Sequence, residues 1–241
     1  EIKAFGITKS LFILDRGFYS ESNISEMSKE GIDFILPLPF SVNIGKGLIS
    51  ETNKDIENPA NAKRFGGDIF YVLESEVMIG EVNAYGYVLF NKKREGVETN
   101  SFYNRLIDIE CALDGKEFKN PIDKFKRTAG YFERYFECTV DGKTIHLRRR
   151  VNAISQAVNR FGKTILISAS KRRWEEVLSL YRERDEVEKK FDDLKNELEV
   201  MPLRVQKVET LKGLLFIFFI SLVLRAVLLR WARDAKLLDK S

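Results

Sequence analysis

Two short apolar runs near the start of the chain constrain its fold more than any other feature. The first, Leu11–Leu14, ends at Asp15, and the second, Ile32–Leu36, follows about twenty residues later. Residues 21–30 between them have the apolar spacing of a helix, which Gly31 is expected to end. A helix between two apolar strands makes a βαβ unit, so we expect the two strands to be parallel.

The middle of the chain, residues 40–165, has a different pattern, in which Gly- and Asn-rich stretches separate short alternating segments. The clearest local signal is Asp141-Gly142, which predicts a β-hairpin. Helices are expected at 98–113 and 151–160. We therefore predict a β-rich insertion after the βαβ unit. The strands expected in and just after it are Ile69–Glu74, Tyr85–Phe90, Glu133–Val140, Thr144–Arg149 and Lys163–Ala169.

The last part of the chain is predicted to be helical. One long amphipathic helix is expected over residues 171 to about 199, and a second from about 208 to 235. The predicted fold class is therefore α/β (mixed α+β). It has three segments: a βαβ start at 1–39, a β-rich insertion at 40–165 and a helical end at 166–241.

The first long helix carries two stripes of side chains. At 3.6 residues per turn, four polar residues spaced Y-x2-R-x3-E-x6-K fall within an arc of about 60°. An apolar stripe lies about 80° away, so the helix can bury one stripe and present the other beside the core edge. A carboxylate among cations suits a metal ion and a phosphate backbone. We call these four residues the polar stripe: Tyr181, Arg184, Glu188 and Lys195.

Charge and composition narrow the classes of partner and chemistry. Residues 1–120 carry 14 basic and 19 acidic side chains, whereas residues 121–241 carry 26 and 17, a net charge of +9. A basic half suggests a polyanionic partner. The single histidine, His146, excludes histidine-based triads and multi-histidine metal sites. Two isolated cysteines support neither a disulfide framework nor a zinc site.

Two carboxylates stand out by their predicted positions. Asp15 ends an apolar strand, and parallel-sheet proteins build sites at such carboxyl ends. Glu188 lies on the polar stripe, next to the core-facing side of its helix. Mg²⁺ and Mn²⁺ prefer oxygen ligands of this type, supplied here by separate elements. Taken singly, Asp15 would be a turn-forming residue and Glu188 an exposed helix residue, and that alternative stays open.

These motifs resemble those of DDE insertion-sequence transposases. The runs L-D-R-G-F-Y-S at residues 14–20 and G-I-D-F-I-L-P at 31–37 are similar to the second catalytic block of the bacterial and archaeal enzymes. The polar stripe has the spacing of the Tyr-Arg-Glu-Lys signature of the Tn5-type group. The resemblance covers about 1–39 and 164–232, and it implies an RNase H-like core, with the middle of the chain matching only in kind and place.

The resemblance implies an active site that cuts and joins DNA at transposon ends. Asp15 matches the second Asp of an Asp-Asp-Glu triad and Glu188 matches the Glu, with Mg²⁺ or Mn²⁺ as cofactor. Two such metals ~4 Å apart activate a water or a 3′-hydroxyl and stabilise the leaving oxygen. The implied partners are double-stranded DNA and, in the complete enzyme, further copies of the chain. The implied location is the cytoplasm, at the nucleoid.

Several residues are candidates for contact with DNA. Three of them match positions that grip phosphates near the cleavage site, where cations and a phenol can bind phosphate oxygens. Others belong to a neighbouring basic cluster, Lys171–Trp174. Trp174 and Phe161 are also candidates to stack on a flipped base, although packing is the commoner role for each. The candidate DNA-contacting residues are Tyr181, Arg184, Lys195, Arg172, Arg173 and Trp174.

The sequence departs from the family pattern at the first Asp of the triad. Only fourteen residues precede Asp15, and none is an acid in a matching block. We therefore expect a partial RNase H-like core, the C-terminal part of a transposase, without independent cleavage activity. The alternative is a non-catalytic DNA-binding remnant, and metal-dependent cleavage separates the two.

The apolar segment Gly213–Leu229 raises a third interpretation, a membrane anchor. Its length is near the ~20 residues needed to span a bilayer. Arg225 interrupts it, however, and charged residues flank it closely. We therefore favour a core helix buried on most sides and expect no membrane partner.

Overall fold

The computed structural model describes residues 10–52 and 55–184, together with scattered positions between 209 and 231. The chain divides into two compact units, Glu1–Leu178 and Ser179–Ser241. The strands are β1 (Leu11–Ile13), β2 (Asp33–Pro37), β3 (Ala62–Phe65), β4 (Asp68–Ile79), β5 (Val82–Phe90), β6 (Phe136–Asp141), β7 (Thr144–Arg149) and β8 (Lys163–Ser168). The helices are α1 (Glu21–Lys29), α2 (Asn43–Thr52), α3 (Lys92–Leu113), α4 (Pro121–Ala129), α5 (Val151–Val158) and α6 (174–184).

A mixed six-stranded sheet organises the first unit, in the order β1-β2-β8-β5-β4-β3. Strands β1 and β2 are parallel, with Leu11 opposite Asp33 and Ile13 opposite Ile35. The other neighbouring pairs of this sheet are antiparallel. The predicted βαβ unit and the mixed α/β class are therefore confirmed.

Helix α1 forms where its local signals predict it. The Ser20 hydroxyl accepts a hydrogen bond from Asn23 N at 3.0 Å, which satisfies one of the backbone donors left over at a helix start. Gly31, with φ +63°, follows the helix in the left-handed conformation that glycine adopts most easily. Ile24 of α1 is fully buried in a core that it shares with Phe34 and Leu36 of β2. These contacts fix β1 and β2 beside each other.

The segment 40–165 contributes strands to both sheets. Strands β3, β4 and β5 join the main sheet, whereas β6 and β7 form a separate hairpin, with Asp141 opposite Thr144 as the Asp141-Gly142 signal predicted. The strand predicted at Glu133–Val140 begins later, because Gly130–Tyr135 is a 3₁₀ helix. The division into three segments stays a prediction.

Two helices of this segment were not predicted. Helix α2 lies in one of the glycine-rich stretches, where Gly45 and Gly47 disfavour a helix. In the structure, a Cβ on Gly45 would overlap the carbonyl oxygen of Pro39, so the missing side chain is what lets α2 pack against this backbone. Helix α4 starts at Pro121, a residue well suited to a first helical position.

A second hydrophobic core is formed by residues that lie between β5 and β8 in the sequence. One face of α3 is buried there, with Leu106 and Ile109 at 0% exposure beside Phe102 and Leu113. The chain leaves the main sheet after β5 and returns at β8, where Asn91 N donates to the Gly162 carbonyl oxygen at 2.9 Å. The two ends of this excursion are therefore in direct contact.

The apolar C-terminal segment is helical at its described positions. Within the part of the chain that the structure describes, no helix is long and apolar enough to cross a membrane. The expectation of a helix buried on most sides is wrong for seven described side chains, which share a helix face and are exposed to solvent. They are Phe216, Ile217, Ile220, Leu224, Val227, Leu228 and Trp231.

Candidate active site and DNA interface

Asp15 lies where the sequence predicts it, at the carboxyl end of β1. Leu14 N still donates to the Ile35 carbonyl oxygen at 2.9 Å, and Asp15 is the first exposed residue after it. Its Oδ1 accepts a hydrogen bond from Arg16 N at 2.6 Å and so caps a short 3₁₀ turn, Arg16–Phe18. The carboxylate is thus held in place at the sheet edge while remaining accessible from solvent.

The metal-binding prediction depends on residues from two places in the chain. A carboxylate oxygen is the ligand type that Mg²⁺ prefers, so Asp15 fits a divalent metal in kind. Glu188 and Lys195 lie outside the described residues. Across the described ranges 10–52 and 55–184 and the positions between 209 and 231, no three His, Cys, Asp or Glu side chains form a group that could hold a metal. The pairing of Asp15 with Glu188 therefore stays a prediction.

Tyr181 and Arg184 share one face of α6, as the spacing of the polar stripe predicts. The Arg184 guanidinium donates to the Tyr181 hydroxyl at 3.4 Å, and its central carbon lies 5.6 Å from the centroid of the Tyr181 ring. Both side chains are half-buried. Since an arginine on an aromatic face is less free to move, this contact restricts the position of the guanidinium.

Arg172 makes a network of contacts within the first unit. Its guanidinium forms an ion pair with Asp33 at the start of β2 and another, at 2.8 Å, with Glu176 in the first turn of α6. The Arg172 side chain is only 20% exposed, and its buried Nε has no hydrogen-bond partner among the described atoms. The Tyr87 hydroxyl donates to the Arg172 carbonyl oxygen at 2.7 Å and accepts from Arg172 N at 3.0 Å.

Trp174 and Arg173, the next residues of the basic cluster, have opposite environments. The Trp174 side chain is 3% exposed and packs on Phe65 and Phe70, with ring centroids 5.8 and 6.4 Å away. Arg173 is exposed and accessible to an anion. Phe161, the other candidate for base stacking, contacts the Phe102 ring at 5.3 Å. Stacking on a base would require either aromatic ring to leave these neighbours.

An exposed aromatic residue beside cations was missed at the sequence level. Tyr131 is 66% exposed, and the Arg134 guanidinium carbon lies 3.7 Å from its ring centroid. Both residues line a cavity of about 530 Å³ together with Lys126 and Arg150. The signal was present as the run G-Y-F-E-R-Y, but its second half was assigned to a strand, which would have separated these side chains.

A family model described as the transposase DDE domain matches residues 2–224. No curated protein and no solved structure matches the chain significantly. The mixed sheet with its helices is consistent with the RNase H-like fold of such a domain.

Proposed function

The chain belongs to the transposase DDE domain family, and we propose that it supplies two of the three carboxylates, Asp15 and Glu188, of an active site that cuts and joins DNA at transposon ends by two-metal phosphodiester chemistry. The family match supports transposase function, a DNA substrate and the use of divalent metal ions. The proposal of two-metal chemistry rests on the position of Asp15, an accessible carboxylate at the carboxyl end of a parallel strand. We further assign the chain to the Tn5-type group through its polar stripe.

Each residue of the proposed site has a distinct task. Asp15 and Glu188 would hold the metal, which when bound supplies charge stabilisation at the scissile phosphate and activates the attacking oxygen. Tyr181 and Arg184 bind the phosphate on the DNA strand, where the planar guanidinium can donate two parallel hydrogen bonds. Lys195 adds a second cation on the same stripe. Arg173 is an additional phosphate contact, since it is exposed next to the start of α6.

A non-catalytic DNA-binding protein is the second candidate. The net charge of +9 in residues 121–241 favours it, because such a charge is sufficient for phosphate contacts without any metal chemistry. Nicking of supercoiled plasmid DNA by the purified chain with Mn²⁺, lost on Asp15→Asn, would decide for the enzyme and against the expectation that this chain has no independent cleavage activity.

Metal binding can be tested independently of cleavage activity. Fe²⁺ takes the place of Mg²⁺ at oxygen-ligand sites and, with ascorbate and peroxide, cuts the polypeptide next to where it is bound. We expect cuts close to residues 15 and 188, which excess Mg²⁺ suppresses and Asp15→Asn removes. Asp123→Asn, at an exposed aspartate of α4, is the matched control and should leave the cuts unchanged. Cuts that persist in Asp15→Asn would contradict the assignment.

The DNA-binding role of Arg184 predicts a change in salt dependence. Arg184→Gln should lower the slope of log K against log[salt] for duplex DNA by about 1, because one fewer phosphate is neutralised. The loss should be similar on duplexes of different sequence. Fluorescence anisotropy of a labelled duplex at several salt concentrations measures both quantities. Arg64→Gln, which removes an exposed arginine of β3, should leave the slope unchanged, and equal slopes for all three proteins would remove Arg184 from the interface.

A further inference from the structure

We propose that the cavity beside Tyr131 is a binding site for a nucleoside phosphate, either free or as one unit of a single DNA strand. The cavity has a volume of about 530 Å³ and is formed by α4, the 3₁₀ helix that follows it, and β6. Pockets for small ligands usually measure about 300–1,000 Å³. The inference goes beyond the proposed function, since it involves neither the proposed metal ligands nor the polar stripe.

The Tyr131 ring offers an aromatic surface at this cavity. The Arg134 guanidinium carbon lies 3.7 Å from its centroid, and the Phe132 and Tyr135 rings are 6.1 and 6.5 Å away. These contacts hold the ring in place, yet 66% of the side chain stays exposed. Any base can stack on an exposed aromatic ring, because every base has a π-face.

Part of the cavity lining is apolar. Phe125 and Phe136 line it from the second hydrophobic core, where they are 4% and 2% exposed. Ile122, in the first turn of α4, lines it as well and is 46% exposed. A small inorganic anion would gain nothing from this apolar surface, whereas a base would be removed from water there. The lining therefore favours a ligand with a planar, weakly polar part.

Three cations at the cavity can bind the phosphate of the same ligand. Lys126, Arg134 and Arg150 are exposed, and in the part of the chain that the structure describes none of them pairs with a carboxylate. Glu133 is the one carboxylate among the described lining residues, so three positive charges and one negative leave a net charge of +2. Cations without a carboxylate partner can form charge-assisted hydrogen bonds with phosphate oxygens.

The neighbouring Arg149 shows the contrast with an arginine that is already paired. Its Nε and one terminal nitrogen donate to the two carboxylate oxygens of Glu110, both at 2.6 Å. A phosphate would have to displace that carboxylate to reach Arg149. Arg150, the next residue, lines the cavity instead and is accessible to the ligand.

The test is the binding of a labelled oligothymidylate strand to the full chain in EDTA, measured by fluorescence anisotropy. We expect Tyr131→Leu to weaken binding about fivefold or more, the loss for one stacked base, and Tyr131→Phe to retain the parent affinity because it keeps the ring. An abasic strand with the same phosphates should bind the parent chain and Tyr131→Leu equally. Equal affinities of these two proteins for oligothymidylate, or an equal loss on the abasic strand, would overturn the inference.

The phosphate contact is tested with a pair of lysines on α4. Lys126→Gln should weaken oligothymidylate binding about fivefold at 0.1 M salt, which follows from a slope of −0.7 per phosphate on single strands. Lys124→Gln removes an exposed lysine of the same helix that does not line the cavity, and it should leave the affinity unchanged. Equal effects of the two variants would show that the cavity binds no phosphate and would also overturn the inference.

Free dTMP distinguishes the two sources of the ligand. Displacement of the strand from the parent chain by dTMP assigns the site to free nucleotides as well, whereas a full Tyr131 effect without displacement assigns it to a unit of a strand. Both results support a nucleoside phosphate site. Because these measurements need no divalent metal, absence of the iron-dependent cuts or of the Arg184 effect would reject the proposed function and leave this test intact.

Discussion

Replacing Gly162 with alanine is expected to lower the free energy of unfolding by about 3 kcal/mol or more. Gly162 has φ +69°, and a left-handed conformation costs an L-residue about 1–2 kcal/mol. An added Cβ would also lie 2.7 Å from the Asn91 carbonyl oxygen and 2.7 Å from Glu95 Cβ. Such overpacking costs about 1–3 kcal/mol. The backbone cannot easily move away, because Gly162 N donates to the Glu98 carboxylate at 2.7 Å.

Gly115→Ala is the matched control for this effect. Gly115 has nearly the same φ, +67°, but no atom lies within 4 Å of an added Cβ. Its substitution should cost only the conformational part, about 1–2 kcal/mol. Urea unfolding followed by circular dichroism gives both values. Equal losses for the two variants would show that the space around Gly162 adapts without cost.

Trp174→Ala is expected to cost about 3–5 kcal/mol, the usual range for deleting a buried large aromatic side chain. Its ring is enclosed by Phe65 and Phe70, so truncation leaves a cavity beside β3 and β4. The only other tryptophan, Trp231, is 65% exposed, and Trp231→Ala should change stability by less than about 0.5 kcal/mol. The same unfolding experiment compares the two variants.

The result for Trp174 also tests its candidate role in DNA binding. If the ring acts by packing, Trp174→Phe should retain most of the stability and all of the duplex affinity. A Trp174→Ala variant that unfolds like the parent chain but binds DNA more weakly would instead favour stacking on a base. The two roles therefore predict losses in different measurements.

The start of the fold could be predicted because its signals are local. Ser20 caps α1, Gly31 ends it, and the apolar runs on either side have the length of buried strands. Asp15 follows from the same pattern, since the end of the first run fixes where the strand stops. The hairpin at Asp141-Gly142 is likewise a property of two adjacent residues. Each of these features needs only a few neighbouring positions to be recognised.

The missed features depend on contacts between distant residues. Helix α2 is not apparent from the sequence because glycine disfavours helices, and only the closeness of Pro39 to Gly45 explains the glycine there. Arg172 was grouped with a basic surface because Asp33, its partner, lies far away in sequence. The burial of Trp174 depends on β3 and β4 in the same way. In the polar stripe, the pairing of Tyr181 with Arg184 follows from helix spacing, whereas the approach of Glu188 to Asp15 stays a prediction.

The contact between Asn91 and Gly162 has a consequence for how this architecture can change in evolution. The main sheet needs only a short bridge between β5 and β8, because Phe90 and Lys163 are already opposite each other. The segment between them has a hydrophobic core of its own, and its two ends, Asn91 and Gly162, are in contact. An inserted segment of this kind can be longer, shorter or different in sequence without changing the strand order of the main sheet. We expect length variation among relatives to concentrate in this segment. The left-handed conformation of Gly162 should be retained, because it lies where the segment rejoins the main sheet.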